Sequence, residues 1–96
     1  MQDDTFEWDD AKAAGNLRKH GVSFVDCRLV FGDAFAIERP DDRVEHGEDR
    51  SIVTGMANGR LTVVIYTERN GRIRIISGRK ASRQERDDHY LQQASR

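Results

Sequence analysis

Residues 72–83 read RIRIISGRKASR and contain four arginines and one lysine. A guanidinium binds two phosphate oxygens at once and stays protonated at any working pH, so arginine is well suited to hold a phosphate. Metal-free cleavage of RNA needs such groups, because the ribose 2′-OH attacks the adjacent phosphate in line and charge develops on the phosphorane. The pattern therefore indicates phosphate-binding chemistry, and RNA cleavage is one reaction that it could support.

The candidate site residues fall into two groups. Those predicted to be catalytic are Arg50, Arg74, Arg79 and His20. Those predicted to bind RNA are Lys19, Tyr66, Arg72, Ser77, Lys80 and Arg83. For any one arginine the alternative is a cross-strand ion pair with Glu38, Glu48 or Glu68, and the convergence of several arginines argues against this alternative for all of them.

The residues that could transfer protons are less well defined by the sequence. His20 has an unperturbed pKa near neutrality, but it also lies where a helix would use it to cap carbonyls. His46, in an acidic loop, and His89, on the last helix, are further candidates. Tyr66 could stack a base or donate to a phosphate, although an alternating strand often buries a tyrosine. Glu85 fits a helix capping box better than a general base.

The net charge of −1 conceals a strong asymmetry along the 96 residues. Residues 1–50 carry seven Lys/Arg against thirteen Asp/Glu, whereas residues 60–86 carry eight against two. Two oppositely charged surfaces that attract each other would explain this split. A local phosphate-binding surface would explain it equally, because a polyanion responds to the local potential.

Length and composition predict one domain spanning residues 1–96, in the cytoplasm. The acidic N-terminus MQDDTFEWDD does not resemble a signal peptide, and no apolar run is long enough to span a membrane. Cys27 is the one cysteine, so an intramolecular disulfide is excluded. Its neighbours indicate that it is a small residue on a helix. No metal site and no cofactor are predicted, since the three histidines are far apart and the loop DDRVEHGED lacks an EF-hand register.

Two helices are predicted near the N-terminus, after a short extended segment at Phe6–Trp8. Asp9 is an N-cap for DAKAAGNLRKH, and Gly21 supplies the left-handed stop. Ser23 caps a second helix through FVDCRLVF, which Gly32 ends.

The rest of the chain has strand periodicity until the last helix. The predicted strands are residues 34–38 and the runs RSIVTG, LTVVIYTER and RIRIISGR. Asn58-Gly59 and Asn70-Gly71 are hairpin turn pairs, which predict an antiparallel meander. Ser82 and Glu85 form a capping box for a helix that ends near Gln92 or Gln93, with Tyr90 and Leu91 packing it onto the sheet.

The expected fold is α+β, with two N-terminal helices, a curled four-stranded antiparallel sheet and a C-terminal helix, all helices lying on one face. Alternation sends Ile73 and Ile75 to one face of the last strand and Arg72 and Arg74 to the other. Beyond them the pattern fails, because Arg79 would follow the isoleucines. Either a bulge at Gly78 re-aims Arg79, or Arg79 lies past the covered part of the sheet.

Taken together, these residues resemble the BrnT toxins of bacterial type II toxin–antitoxin modules, ribonucleases with a RelE-like fold. The resemblance covers nearly the whole chain through FEWDDAKAAGNLRKHGVSF, VFGDAFAIERPD, GEDRSIVTG and YTERNGRIRIISGRKASRQERDDHY. One departure is Gly78, where relatives often carry alanine, and little consequence is expected from it.

The resemblance implies a toxin that cleaves RNA and blocks translation. It also implies a partner, a BrnA-type antitoxin, which forms a hetero-oligomer with the toxin and whose ribbon-helix-helix part binds DNA. The alternative is a non-catalytic module that binds RNA or a partner and acts as a corepressor with its antitoxin. The two differ in whether RNA is cleaved, whereas salt-dependent binding is expected of both.

Overall fold

A computed structural model describes residues 1–43 and 47–94 as three helices and one five-stranded sheet. The helices are α1 (Asp10–His20), α2 (Phe24–Val30) and α3 (Arg83–Ala94). The strands are β1 (Phe6–Glu7), β2 (Ile37–Pro40), β3 (Ser51–Ala57), β4 (Arg60–Arg69) and β5 (Arg72–Lys80), in the spatial order β1-β5-β4-β3-β2. The α+β class is confirmed.

The predicted helix caps are present. The Asp9 carboxylate accepts from the Lys12 N–H at 3.0 Å, and Gly21 ends α1 with φ of 70°. The Ser23 hydroxyl accepts from the Asp26 N–H at 3.0 Å. The second helix is shorter than predicted, because α2 ends at Val30 and its C-cap is Phe31, one residue before Gly32.

The predicted antiparallel meander is present as β3, β4 and β5. The first predicted strand, residues 34–38, is displaced: β2 covers Ile37–Pro40 and pairs antiparallel with β3. The prediction of a sheet of four antiparallel strands is wrong. Phe6 and Glu7 form a fifth strand that pairs in parallel with β5, opposite Ile73 and Arg74. The sequence predicts a short extended segment at Phe6–Trp8, but two residues are too few to show strand periodicity, so only the pairing identifies them as a strand. Both hairpin turns are confirmed: Asn58-Gly59 and Asn70-Gly71 have positive φ throughout, as a type I′ turn requires.

A β-bulge in β5 decides which side chains face each side of the sheet. Ile65 pairs with Ser77 and its neighbour Tyr66 with Ile75, so Ile76 is an extra residue. Ile73 and Ile75, which precede the bulge, lie on the same face of the sheet as Tyr66. Gly78, which follows the bulge, also lies on that face, and Arg79 lies on the opposite face. The bulge that was predicted at Gly78 therefore exists two residues earlier, and it does re-aim Arg79.

The two faces of the sheet are covered by different helices. We call the side of Tyr66, Ile75 and Gly78 the core face, and the side of Arg74, Ser77 and Arg79 the arginine face. Helices α1 and α2 pack on the core face. Helix α3 lies over the arginine face, since Glu85 and His89 border Ile37, Arg39 and Thr54 there. The prediction that all helices share one face is wrong for α3, which lies on the opposite face, where Glu85 of its first turn pairs with Arg79 of β5.

The main core lies between the first two helices and the core face. Its buried members are Trp8, Val22, Phe24, Cys27, Val30, Val53, Ala57, Val64, Tyr66 and Ile75. A smaller cluster of Ile52, Leu61, Val63 and Ala81 lies on the arginine face near α3. Full burial of each large apolar side chain contributes about 1.5–3 kcal/mol, so most of the stabilisation comes from the side that holds α1 and α2.

The contact of Gly78 with Cys27 and Asn16 fixes α1 and α2 on the sheet. The Asn16 side chain donates to the carbonyls of Val22 and Gly78 at 2.9 and 2.8 Å and accepts from the Gly78 N–H at 3.2 Å. A Cβ on residue 78 would overlap Cys27 Sγ. The glycine at this departure from the family's pattern therefore fits the buried cysteine, whose sulfur occupies the space that a methyl group would need.

We predict that Gly78→Ala lowers the free energy of unfolding by about 1–3 kcal/mol, the usual cost of overpacking a core. Adding Cys27→Ala should recover part of this loss, because the overlapping sulfur is removed. Denaturant unfolding of both single variants and the double variant measures the coupling. Gly32→Ala is the matched control, since a Cβ there makes only ordinary contacts. Wild-type stability of Gly78→Ala would contradict the prediction.

Candidate active site and nucleic-acid interface

Four of the predicted site residues lie together on the arginine face of β5. Arg74 is opposite Thr67, Ser77 opposite Ile65, and Arg79 opposite Val63, all on one side of the sheet. Arg72 is at the start of the same strand and shares this face by alternation. The structure therefore gathers Arg72, Arg74, Ser77 and Arg79 on one surface, and this grouping depends on the bulge at Ile76.

Arg79 is held by the first turn of α3. Its Nη1 and Nη2 donate to the two Glu85 carboxylate oxygens at 2.6 and 2.9 Å. Glu85 Oε1 also accepts from the Ser82 N–H at 2.8 Å, and the Ser82 hydroxyl accepts from the Glu85 N–H at 3.1 Å. The capping box predicted at Ser82 is confirmed, and its glutamate has a second role that the sequence did not indicate.

This ion pair strongly favours the charged forms of both groups. Hydrogen bonds from Arg79, together with those from Ser82, lower the pKa of Glu85 to about 2, against the opposing effect of burial. The hydrogen bond from Glu85 raises the pKa of Arg79. At neutral pH Glu85 is therefore a carboxylate paired with a cation, and a phosphate that binds Arg79 must compete with it.

The other arginines of this surface also have intramolecular partners. Arg74 donates to Glu7 at 2.9 Å, which links β5 to β1. Arg72 Nε donates to the Asp3 carbonyl at 2.7 Å. Arg50 immediately precedes β3 and donates to Glu48 at 3.2 Å. Arg50, Arg74 and Arg79 thus each have an ion-pair partner, but of these three pairs only Arg74–Glu7 is cross-strand, and only the Arg50 pair involves one of the glutamates named in the alternative.

A cleft of about 180 Å³ lies between α3 and β2–β3 on the arginine face. Its lining residues are Ile37, Arg39, Thr54, Glu85, Asp88, His89 and Gln92. His89 is 4% exposed, and its Nε2 lies 2.9 Å from Gln93 Nε2. The Arg39 side chain is exposed and makes no hydrogen bond or ion pair with any residue in the described part of the chain.

His89 and Arg39 are the residues that sequence reasoning undervalued. His89 lies four residues after Glu85, so helical periodicity places both on one side of α3. The last helix was expected to pack through Tyr90 and Leu91, and this is wrong, since their side chains are 52% and 66% exposed. With few apolar residues on α3, its buried side could not be recognised from hydrophobicity.

Several predicted site residues lie away from the arginine face. Lys19 and His20 end α1, which packs on the core face. Tyr66 is 6% exposed in the main core, with its ring edge-to-face on Phe31 and its hydroxyl bonded to Glu38. Burial, and then the bond to Glu38, raise the pKa of Tyr66 to about 12. As placed, its ring has no open face on which a base could stack.

The remaining predicted residues are at the corner between β5 and α3 or outside the described chain. Lys80 and Arg83 are exposed on either side of Ala81-Ser82. His46 lies outside the described residues. Cys27 is fully buried, and burial raises the pKa of its thiol to about 12, as expected for a structural cysteine.

Within residues 1–43 and 47–94, no three His, Cys, Asp or Glu side chains come together as a potential metal-binding group. No helix in the same ranges is long and apolar enough to cross a membrane.

The fold and the arginine face define a small α+β protein whose sheet carries a concentrated set of cationic side chains. Residues 8–85 match the family model described as "Ribonuclease toxin, BrnT, of type II toxin-antitoxin system". The chain belongs to this family of ribonuclease toxins. Membership implies an RNA substrate and an antitoxin partner. A comparison with curated proteins gave no significant match.

We predict that Glu85→Gln lowers the free energy of unfolding by about 1 kcal/mol at neutral pH, a modest value because the pair is partly solvated. Glutamine keeps the capping acceptor and removes the charge. Because the pKa of Glu85 is depressed in the folded state, its contribution is complete above about pH 4.5, the ordinary value, and is lost as the pH falls towards 2. Urea unfolding of both proteins from pH 7 to pH 2 should show the difference vanish at the acid end. A constant difference would contradict the assignment.

Proposed function

We propose that this protein is a RelE-like endoribonuclease that cleaves RNA by attack of the ribose 2′-OH on the adjacent phosphate, without a metal ion, and thereby inhibits translation. The observation that supports this most directly is the grouping of Arg74, Ser77 and Arg79 on one face of β5. Family membership supports the ribonuclease activity, and the chemistry of the face supports the mechanism.

The arginines would bind the scissile phosphate and stabilise the charge of the phosphorane. Arg79 is the main candidate, because its planar fork already binds two carboxylate oxygens of Glu85 in the geometry that phosphate requires. A bound phosphate would replace the Glu85 carboxylate as the hydrogen-bond partner of Arg79. Arg74 would contribute from the adjacent part of the strand, and Arg50 would border the face, since the register extended by one residue places it beside Thr67.

Two histidines are candidates for proton transfer in this proposal. His20 remains the candidate predicted from the sequence, at the end of α1. His89 is the one that lines the cleft beside Glu85. Comparison of His20→Gln with His89→Gln under single-turnover conditions would assign the role, because loss of a general acid or base typically costs about 10²–10⁴ in rate.

The partner proposed for this toxin is a BrnA-type antitoxin with a ribbon-helix-helix part. The two proteins would form a hetero-oligomer in the cytoplasm, contacting DNA only through the antitoxin. An antitoxin segment that covers the arginine face would inhibit the enzyme directly, because the same side chains would no longer be available to RNA.

A second candidate function is a non-catalytic binding module that acts as a corepressor. It is favoured by the intramolecular partners of the arginines: Arg74 is paired with Glu7 and Arg79 with Glu85. Arginines that only hold β1 and α3 in place would not need to act on a substrate.

We predict that the wild-type protein cleaves a labelled RNA to 2′,3′-cyclic phosphate ends in the presence of EDTA. Arg79→Ala should lower the cleavage rate by about 10²–10³, the usual loss when one charge-stabilising donor is removed. Arg28→Ala, on α2 against the core face, is the charge-matched control and should cleave as wild type.

Melting temperatures separate the two functions. Loss of cleavage in an Arg79→Ala protein that still melts near the wild-type temperature supports catalysis. Intact RNA with the wild-type protein, together with salt-sensitive binding, supports the corepressor function. A large fall in melting temperature for Arg79→Ala would assign Arg79 to structure.

A further inference from the structure

A second cleft, of about 330 Å³, lies where the β3–β4 turn, the end of β5 and α3 meet. Its lining residues are Met56, Gly59, Arg60, Leu61, Lys80, Ala81, Arg86 and Tyr90. We call it the Tyr90 cleft. It is distinct from the cleft that holds His89, because Arg86 and Tyr90 share one side of α3 and Glu85 and His89 share another.

The Tyr90 cleft contains three cations that are not neutralised. Arg60, Lys80 and Arg86 are exposed and make no side-chain hydrogen bond or ion pair with any residue in the ranges 1–43 and 47–94. None of the lining residues is acidic, and Asp87 borders Tyr90 in a separate surface depression. This differs from the arginine face, where Arg74 and Arg79 each have a carboxylate. The local potential therefore attracts a polyanion.

The cleft also offers an aromatic ring and an apolar floor. The Tyr90 side chain is 52% exposed, whereas Leu61 and Ala81 beneath it are buried. The edge-to-face contact of Tyr90 with His89, at 6.0 Å between ring centroids, supports the ring from the neighbouring position. An exposed aromatic ring next to several cations is the arrangement that binds single-stranded nucleic acids, by base stacking and phosphate contacts.

We propose that the Tyr90 cleft binds a nucleotide of single-stranded RNA that flanks the cleavage position. The base would stack on Tyr90, and the phosphates would contact Arg60, Lys80 and Arg86. This inference rests on the proposed ribonuclease function and adds a second point of RNA contact to it.

The position of the cleft allows one RNA strand to reach both sites. Lys80 directly follows Arg79 in β5, and Arg86 directly follows Glu85 in α3. Lys80 pairs with Thr62 and Arg79 with Val63, so their side chains leave β5 on opposite faces. An RNA strand that reaches both sites would pass around the end of β5 and the first turn of α3. An acidic peptide would satisfy the cations, but the exposed ring and the apolar floor favour a nucleobase.

Binding is tested with a labelled 2′-O-methyl oligonucleotide, which lacks the attacking hydroxyl. Fluorescence anisotropy over a range of salt concentrations is measured for the full chain. Arg86→Ala should weaken binding about fivefold or more and reduce the slope of log K against log salt by about 0.7, the value for one phosphate contact. Tyr90→Ala should weaken binding about tenfold with the slope unchanged, and Tyr90→Phe should restore it.

The control is Arg28→Ala, which changes the net charge as Arg86→Ala does and lies on the other side of the sheet. It should bind RNA as wild type. Melting temperatures of all variants show that each is folded. Equal weakening by Arg28→Ala and Arg86→Ala, or wild-type binding by both Arg86→Ala and Tyr90→Ala, would overturn the proposal. Variants that lose affinity only for the antitoxin would also overturn the proposal, because the cleft would then be a protein-binding site.

Cleavage kinetics separate this proposal from the proposed function. If both are right, Arg86→Ala raises KM and leaves kcat close to wild type, whereas Arg79→Ala lowers kcat. If the wild-type protein does not cleave but Arg86→Ala and Tyr90→Ala still lose affinity, the nuclease proposal fails and the RNA site stands. If cleavage is normal and these variants bind like wild type, only the Tyr90 cleft is refuted.

Discussion

The extra residue Ile76 in β5 is the constraint on which the site depends. Without it, alternation would continue from Ile73 and Ile75 and would turn Ser77 and Arg79 into the core. Burial of an unpaired guanidinium costs several kcal/mol, whereas a glycine facing the helices costs little. The bulge resolves the conflict: Gly78 meets Cys27 and Asn16, and Arg79 reaches the opposite face with Ser77. The bulge at Ile76 therefore positions both the helices and the cationic side chains.

The acidic N-terminal half and the basic C-terminal half attract each other in specific contacts. Glu7 pairs with Arg74, and the Asp3 carbonyl accepts from Arg72, where the N-terminal segment runs beside β5. Attraction between oppositely charged segments thus accounts for part of the charge asymmetry. Part of the positive charge is used inside the fold, whereas Arg60, Lys80 and Arg86 are uncompensated within the described chain.

Helix α3 joins these two electrostatic environments. Its first turn neutralises Arg79 through Glu85, while Arg86, one residue later, contributes to the Tyr90 cleft. The helix rests on few apolar contacts, with His89 as its one buried side chain in the described range. The Arg79–Glu85 pair and the capping box fix its first turn.

Local chemistry determined much of this fold from the sequence alone. The caps at Asp9, Ser23 and Ser82 and the turns at Asn58-Gly59 and Asn70-Gly71 depend on residues close in the chain, so their patterns are readable without a structure. The cationic character of residues 72–83 is equally local. The motifs also identified the family.

Tertiary structure decided what depends on distant contacts. Four features depend on contacts between residues that are far apart in the chain or on different elements. They are the parallel pairing of β1, the burial of Tyr66, the side on which α3 packs and the pairing of arginines with Glu7 and Glu85. Alternation shows that two side chains differ in direction, but the direction that faces the core is set by packing energy across the sheet. The site consequently combines arginines that the sequence identified with partners and clefts that only the folded chain brings together.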